Sequence, residues 1–181
     1  MLTGTDALWW LSGGCALDVF LGRATRPHGD IDVSVRRSDW PTLRRHLSDR
    51  LDIVIARDSR LHPLPESNGP LDDSVHNLWA RVPDGDAWRL QINPEACVGT
   101  HWVFRRDPRI RRPMTDVVWH RDDGLPFVNP SVQLLWKARD PQPKDETDLA
   151  NVEPHLVAAE REWLKNAITL AHPDSPWRER L

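Results

Sequence analysis

An α/β fold (α+β), built on one mixed sheet flanked by helices, is expected from three features of this 181-residue sequence. First, Trp9–Leu11 is a short apolar run, Gly13-Gly14 breaks it, Cys15 to Gly22 has helical spacing, and Ile31 and Val33 alternate with Asp30 and Asp32. That is a strand, turn, helix and strand in succession. Second, later apolar runs are separated by Asp/Gly turn signals, so strands meet in hairpins while the first helix is a crossover. Third, the periodicity switches to helical after residue 128. Residues 1–128 therefore read as one α/β unit and residues 129–181 as a C-terminal helical annex packed on it.

Taken in order, Thr5-Asp6 can cap a short first helix ahead of the Trp9 strand. The Gly-Gly turn leads into a helix with Ala16, Val19 and Phe20 on one face and Gly22 as its stop. Ser38 or Asp39 caps the next helix, with Pro41 in its first turn and Leu43 and Leu47 on its buried stripe. Leu51–Ala56 is a strand. Residues 58–76 are proline-containing and polar, and read as a long loop. Leu78–Val82 and Trp88–Ile92 form a hairpin turned at Asp84-Gly85-Asp86, His101–Arg105 is a further strand, and Val117–His120 pairs with Leu125–Val128. In the annex, Asn129-Pro130 starts a helix whose apolar face is Val132, Leu135 and Trp136. Lys144–Asn151 is a second helix. Pro154 opens the last, with Leu156, Ala159, Trp163, Leu164 and Ala167 buried.

The net charge of -3 supplies no basic field to gather nucleic acid nonspecifically. Cys15 and Cys97 are two thiols in a chain without a recognisable export leader, which fits a reducing cytoplasm better than a disulfide scaffold. No apolar run approaches the ~20 residues a bilayer span needs. The sequence has ten tryptophans and no tyrosine. Buried aromatics are mostly core, and a stacking pocket for a base or sugar is the sharper alternative.

The chemistry concentrates in residues 12–32. Residues two apart on a strand face one side, so Asp30 and Asp32 present two carboxylates together while Ile31 and Val33 enter a core. Aspartate is poor in strands, and two parallel carboxylates repel one another unless a cation lies between them. Magnesium suits such a pair, completing its shell with phosphate oxygens and water. Ser12, Gly13 and Gly14 lead into a helix N-terminus, which offers free N–H groups and partial positive charge to a phosphate. Arg23, Arg26 and His28 lie just before the metal strand. They either contact phosphate or bond Asp18 and fasten the loop to the helix. Lys137 and Lys144 could reach phosphates from the annex or be solvated helix residues, with the solvated role favoured for Lys137.

The string Gly13, Gly14, Ala16, Asp18, then Gly22, Arg23, Thr25, Arg26, His28, Asp30, Ile31 and Asp32 resembles the polymerase-beta-like nucleotidyltransferase superfamily. Within it, the longer string resembles that of the aminoglycoside and lincosamide nucleotidyltransferases. The match is dense over residues 9–36 and looser beyond. The resemblance implies transfer of a nucleoside monophosphate from a nucleoside triphosphate, ATP foremost, to a hydroxyl of a small molecule such as an aminoglycoside-like antibiotic. It implies magnesium held by Asp30 and Asp32, and donor binding by Ser12, Gly13, Gly14, Arg26, His28 and Lys144. The family also needs a third carboxylate on the neighbouring strand. Here Gln91 occupies that seat, and glutamine takes no proton at neutral pH. Glu95, Asp84 or Asp86 would then have to supply the charge. A polycationic acceptor would want an acidic pocket, for which Asp72, Asp73, Asp84, Asp86, Glu95, Asp145, Glu146 and Asp148 are available. The competing readings are an enzyme that nucleotidylates a protein, as in toxin–antitoxin systems, and a nucleotide-binding module without catalysis.

Overall fold

A computed structural model describes all residues 1–181. Strand β1 (Trp9–Ser12) runs directly into helix α1 (Gly13–Leu21), and strand β2 (Ile31–Arg36) returns antiparallel beside β1. Helix α2 (Trp40–Leu47) follows, then β3 (Asp52–Arg57), β4 (Arg60–Pro63), β5 (Leu78–Arg81) and β6 (Leu90–Glu95). Two short strands, β7 (Cys97–Val98) and β8 (His101–Val103), precede β9 (Arg111–Pro113), a single-turn helix α3 (Met114–Val117), β10 (Val118–His120) and β11 (Pro126–Val128). Helices α4 (Pro130–Lys137), α5 (Pro143–Val152) and α6 (Ala158–Ala171) complete the chain. The main sheet has eight strands in the order β10-β11-β1-β2-β6-β5-β3-β4, and β7, β8 and β9 make a second, three-stranded sheet. The pairs β1–β11 and β2–β6 are parallel and the rest antiparallel, so the sheet is mixed as expected.

Period-two alternation divides the main sheet into two faces. Val33, Val35, Leu78, Ala80 and Ile92 point to one side and bury against Trp40, Leu43 and Leu47 of α2. Each such side chain contributes roughly 1.5–3 kcal/mol on leaving water. On the other side, Trp10, Ala16 and Leu17 join Val132, Leu134 and Leu135 of α4, Leu149 and Val152 of α5, and Leu164 and Ile168 of α6 in one cluster. The helical segment thus packs around α1 rather than standing apart from it. Asn129 accepts a bond from Ser131 N at 2.9 Å, capping α4 as its Asn-Pro start suggests. No helix is long and apolar enough to cross a membrane.

Several local expectations need correction. No helix forms at residues 5–8, where Thr5 Oγ1 accepts a bond from Ala7 N at 3.2 Å and closes a turn instead. The 58–76 segment contains β4, which makes a hairpin with β3 through Asp58 and Ser59, both at positive φ (52° and 58°). Such a turn is usually flagged by glycine, and here aspartate and serine adopt it. Asp39 caps α2 with no side-chain bond, because its carboxylate takes Leu8 N at 3.0 Å and the Arg36 guanidinium. Ile31 is half exposed rather than core, since β2 begins there at the sheet rim. Pro154 sits in a separate 3₁₀ turn ahead of α6, and Ala159 is exposed. In α1 the fully buried residues are Ala16 and Leu17, with Val19 and Phe20 only partly covered.

Candidate active site

The side of the sheet away from α2 floors a cavity of about 940 Å³. Its floor follows the register. Ser12 pairs with Asp32, Asp32 with Gln91, and Gln91 with Trp79, so four side chains cross β1, β2, β6 and β5 in one row. The next row holds Trp10, Ser34 and Asn93. Residues of α4, the 26–30 loop, the start of α5 and the loop after β8 form the walls.

At one end the chain turns from β1 into α1 with Gly13 at φ +68°, a conformation L side chains rarely adopt. A Cβ there would lie 2.0 Å from Asp32 Oδ2. The Asp32 carboxylate therefore rests against the bare backbone of the helix start. At Gly14 an added Cβ would meet Arg26 Nη2 at 2.4 Å and His28 Cε1 at 2.5 Å, so both side chains lie over that first turn. Gly13 N donates to Gln133 Oε1 of α4 at 2.8 Å, which pins the turn from the other side. Ser12 Oγ is buried on the cavity wall with no hydrogen-bond partner. An orphan hydroxyl beside a helix N-terminus suits a bound phosphate oxygen.

Asp30 and Asp32 both line this end of the cavity, Asp30 just before β2 and Asp32 inside it. Neither pairs with a lysine or arginine. The one side-chain bond to Asp32 is from Asn93 Nδ2 at 3.5 Å. Burial raises the Asp32 carboxyl above the usual range, and the neighbouring charge of Asp30 raises it further. Two carboxylates without a counter-cation, beside an open space, are a donor set that magnesium accepts. No cluster of three or more acidic, histidine or cysteine side chains completes a protein-only metal cage.

The basic residues are sorted by their partners. His28 Nε2 is 2.6 Å from Asp18 Oδ2, and the Thr25 hydroxyl donates to Asp18 Oδ1 at 2.6 Å, so the loop is indeed fastened to α1. Burial opposes the ionised form of Asp18, but the bonds from Thr25 and His28 outweigh it and hold its pKa low. Arg26 bonds Asp148 of α5, not Asp18, with Nε at 2.9 Å and Nη2 at 3.0 Å. Lys137 is not solvated: its side chain is 12% exposed and bridges Asp145 at 2.6 Å and Asp148 at 3.0 Å. Lys144 lines the cavity with no carboxylate partner and is the free cation of this end.

Gln91 lies where the sequence places it, opposite Asp32 in parallel register and on the cavity side. Its Nε2 donates to Asn93 Oδ1 at 2.8 Å, and Asn93 leads on to Asp32. Asp84 and Asp86 are exposed at the hairpin turn, off the cavity. Glu95 lines the cavity further along β6 but is buried, accepting Trp102 Nε1 at 2.9 Å and the Ser34 hydroxyl at 3.4 Å. Burial raises its pKa. The tryptophans divide between both expectations: Trp40 and Trp177 are core, whereas Trp79, Trp88 and Trp136 line the cavity.

A family model described as aminoglycoside-2''-adenylyltransferase matches residues 1–105, more than half of the chain. The chain belongs to the aminoglycoside-2''-adenylyltransferase family. It is 28% identical over 149 residues to a lincosamide resistance protein of Staphylococcus haemolyticus, covering 80% of this chain and 83% of that one. Among solved structures, the lincosamide antibiotic adenylyltransferase LnuA in its lincomycin-bound form superposes with a TM-score of 0.56 at 18% identity, covering 82% of this chain and 87% of that one. The solution structure of the antibiotic-resistance factor ANT(2'')-Ia gives 0.56 at 17% identity, over 91% and 83% of the two chains. The same enzyme in complex with adenylyl-2''-tobramycin gives 0.55 at 14% identity, over 91% and 89%. The fold is thus the nucleotidyltransferase fold, and the chain is an enzyme of that kind. Sequence reasoning missed Gln133 and Asn93, and it offered Asp148 for an acidic acceptor pocket rather than as the partner of Arg26. A glutamine on the buried face of α4 was a detectable signal, because a buried amide needs a partner.

Proposed function

We propose that this enzyme transfers AMP from ATP to a hydroxyl of a small antibiotic-like acceptor, with magnesium held by Asp30 and Asp32. The observation that carries this is the register row Ser12–Asp32–Gln91 beneath the Gly13-Gly14 helix start. It sets an orphan hydroxyl, an unpaired carboxylate pair and a helix N-terminus around one space. The Ser12 hydroxyl and the first free N–H groups of α1 hold phosphate oxygens, and Lys144 neutralises the outer ones. Arg26 and His28 keep the helix start in place, tied as they are to Asp148 and Asp18. Magnesium bound at the carboxylates would neutralise the triphosphate and lower the pKa of the acceptor hydroxyl. The acceptor oxygen then forms its bond to the α-phosphorus in line, while the bond to the β-phosphate oxygen breaks and pyrophosphate leaves. Gln91 orients the attacking hydroxyl by a hydrogen bond but takes no proton, so the proton leaves to water. Positioning and charge neutralisation supply most of the rate.

The test is pyrophosphate release from ATP with magnesium, screened against hydroxylated acceptors. Calorimetry of the Asp30→Asn/Asp32→Asn protein accompanies it. Release that depends on an acceptor and is lost in the double variant supports the reading. A double variant that binds ATP–magnesium as tightly as the wild type overturns the metal assignment.

A further inference from the structure

The end of the cavity away from the Gly-Gly turn has a different chemistry. Trp79 and Trp136 line it with His76, Arg105 and Arg106. The guanidinium carbons of Arg105 and Arg106 stand 5.3 and 5.0 Å from the centre of the same Trp136 ring. Arg106 Nη1 donates to Trp136 O at 2.8 Å. Neither arginine pairs with a carboxylate, whereas Arg26 and Lys137 at the other end are both neutralised. His76 Nδ1 is buried with no hydrogen-bond partner.

Most of the acids that could have made this end negative lie off the cavity. Of Asp72, Asp73, Asp84, Asp86, Glu95, Asp145, Glu146 and Asp148, only Glu95 lines the cavity, and Trp102 and Ser34 already hold it. Gln91 in the third-carboxylate seat removes one more negative charge from the path between the two ends. What remains is two indole faces with two guanidinium groups that form no salt bridge, Arg105 feeling the buried Glu95 and Arg106 no carboxylate at all. Guanidinium matches carboxylate geometry with parallel hydrogen bonds, and indole faces take planar rings. A polycation placed there meets two like charges.

We propose that the acceptor of this enzyme is a hydroxylated aromatic molecule carrying a carboxylate, held by Arg105 and Arg106 against Trp136 and Trp79. The proposal deepens the nucleotidyl-transfer reading and rests on it. Burial pulls the Arg106 guanidinium down to about 10, and the like charges of Arg139 and Arg105 add to the effect.

The test uses three probes, 3-phenyllactate, its methyl ester and tobramycin, titrated by tryptophan fluorescence in wild-type protein and in Arg105→Gln/Arg106→Gln. The acid is expected to bind about tenfold more tightly than the ester, the worth of one charge-assisted contact. In the double variant the two should bind about equally, with ATP–magnesium affinity unchanged by calorimetry. The single variant Arg105→Gln, whose side chain bonds nothing else, guards against a folding defect and should lose part of the preference. Tobramycin binding more tightly than the acid overturns the proposal. So does an absent acid preference, one that survives both substitutions, or a fall in ATP affinity, which would assign the arginines to the donor. A wild-type protein that binds the acid but no ATP–magnesium would instead overturn the nucleotidyl-transfer reading.

Discussion

The two ends of the cavity are built on opposite plans. The donor end comes from one continuous run, residues 12–32, braced by one bond from Gln133 and a two-bond pair with Asp148. Its surrounding cations are paired except Lys144, and the two aspartates stand unpaired with it. The acceptor end is gathered from residues 76, 79, 105, 106 and 136, and its groups without an ion pair are cations. The difference teaches that the shared reaction lies in a local motif, whereas selectivity is assembled from segments that meet only in the fold.

The largest expected effect breaks the donor end. Asp32→Asn should lower the transfer rate by on the order of 10³-fold, as expected when a group stabilising transition-state charge is lost. Pyrophosphate release measures it, with circular dichroism confirming the fold. A rate within a few fold of wild type would remove Asp32 from the chemistry.

Gln91 lies between the ends and sharpens the comparison from the middle. Gln91→Glu should strengthen magnesium binding and raise the transfer rate by about 10², the lower end of general-base assistance. Calorimetry and initial rates read the two effects. If neither rises, the third charge is needed elsewhere.

Asp148→Asn leaves Arg26 and Lys137 facing one another without a shared counter-charge. Its side chain is 1% exposed, and losing one partner of a buried pair costs about 3 kcal/mol. Urea unfolding should show that loss together with weaker ATP binding and an unchanged acid-over-ester preference. A matching loss of that preference would mean the two ends are not separable.

The smallest effect is a control away from both ends. Burial raises the Glu160 carboxyl, but bonds from Arg112, Ser131 and Asn129 outweigh it and leave its pKa low. A depressed acid stabilises the fold above its unfolded value and loses that contribution as pH falls through the folded one. The melting temperature should thus hold at neutral pH and fall below about pH 4.5, and Glu160→Gln should flatten that acid limb. A fall as steep as in the wild type would place the acid sensitivity elsewhere, Asp148 being the next candidate.

What could be read in the sequence follows from how far apart the interacting groups are. The Gly-Gly turn, the Asp30–Asp32 pair and the Gln91 seat rest on spacings of a few residues plus one strand pairing, and each has its expected place in the fold. The β3–β4 hairpin was hidden because Asp58-Ser59 turns without glycine. Of the second sheet only β8 was legible, within the expected 101–105 strand, because β7 and β9 are two and three residues long and carry no periodicity. The partner of Arg26 was illegible for another reason: Asp18 and Asp148 are equally acidic, and only the packing of α5 onto α1 chooses between them.

The Arg26–Asp148 bond spans 122 positions of the chain, and this has a consequence for biosynthesis. During translation the glycine turn and both aspartates emerge early, yet the carboxylate that restrains Arg26 and Lys137 is made much later. A growing chain therefore carries an electrically unbalanced nucleotide cradle until α5 docks. The donor end and the helical segment are thus completed in one docking step, late in the chain's synthesis.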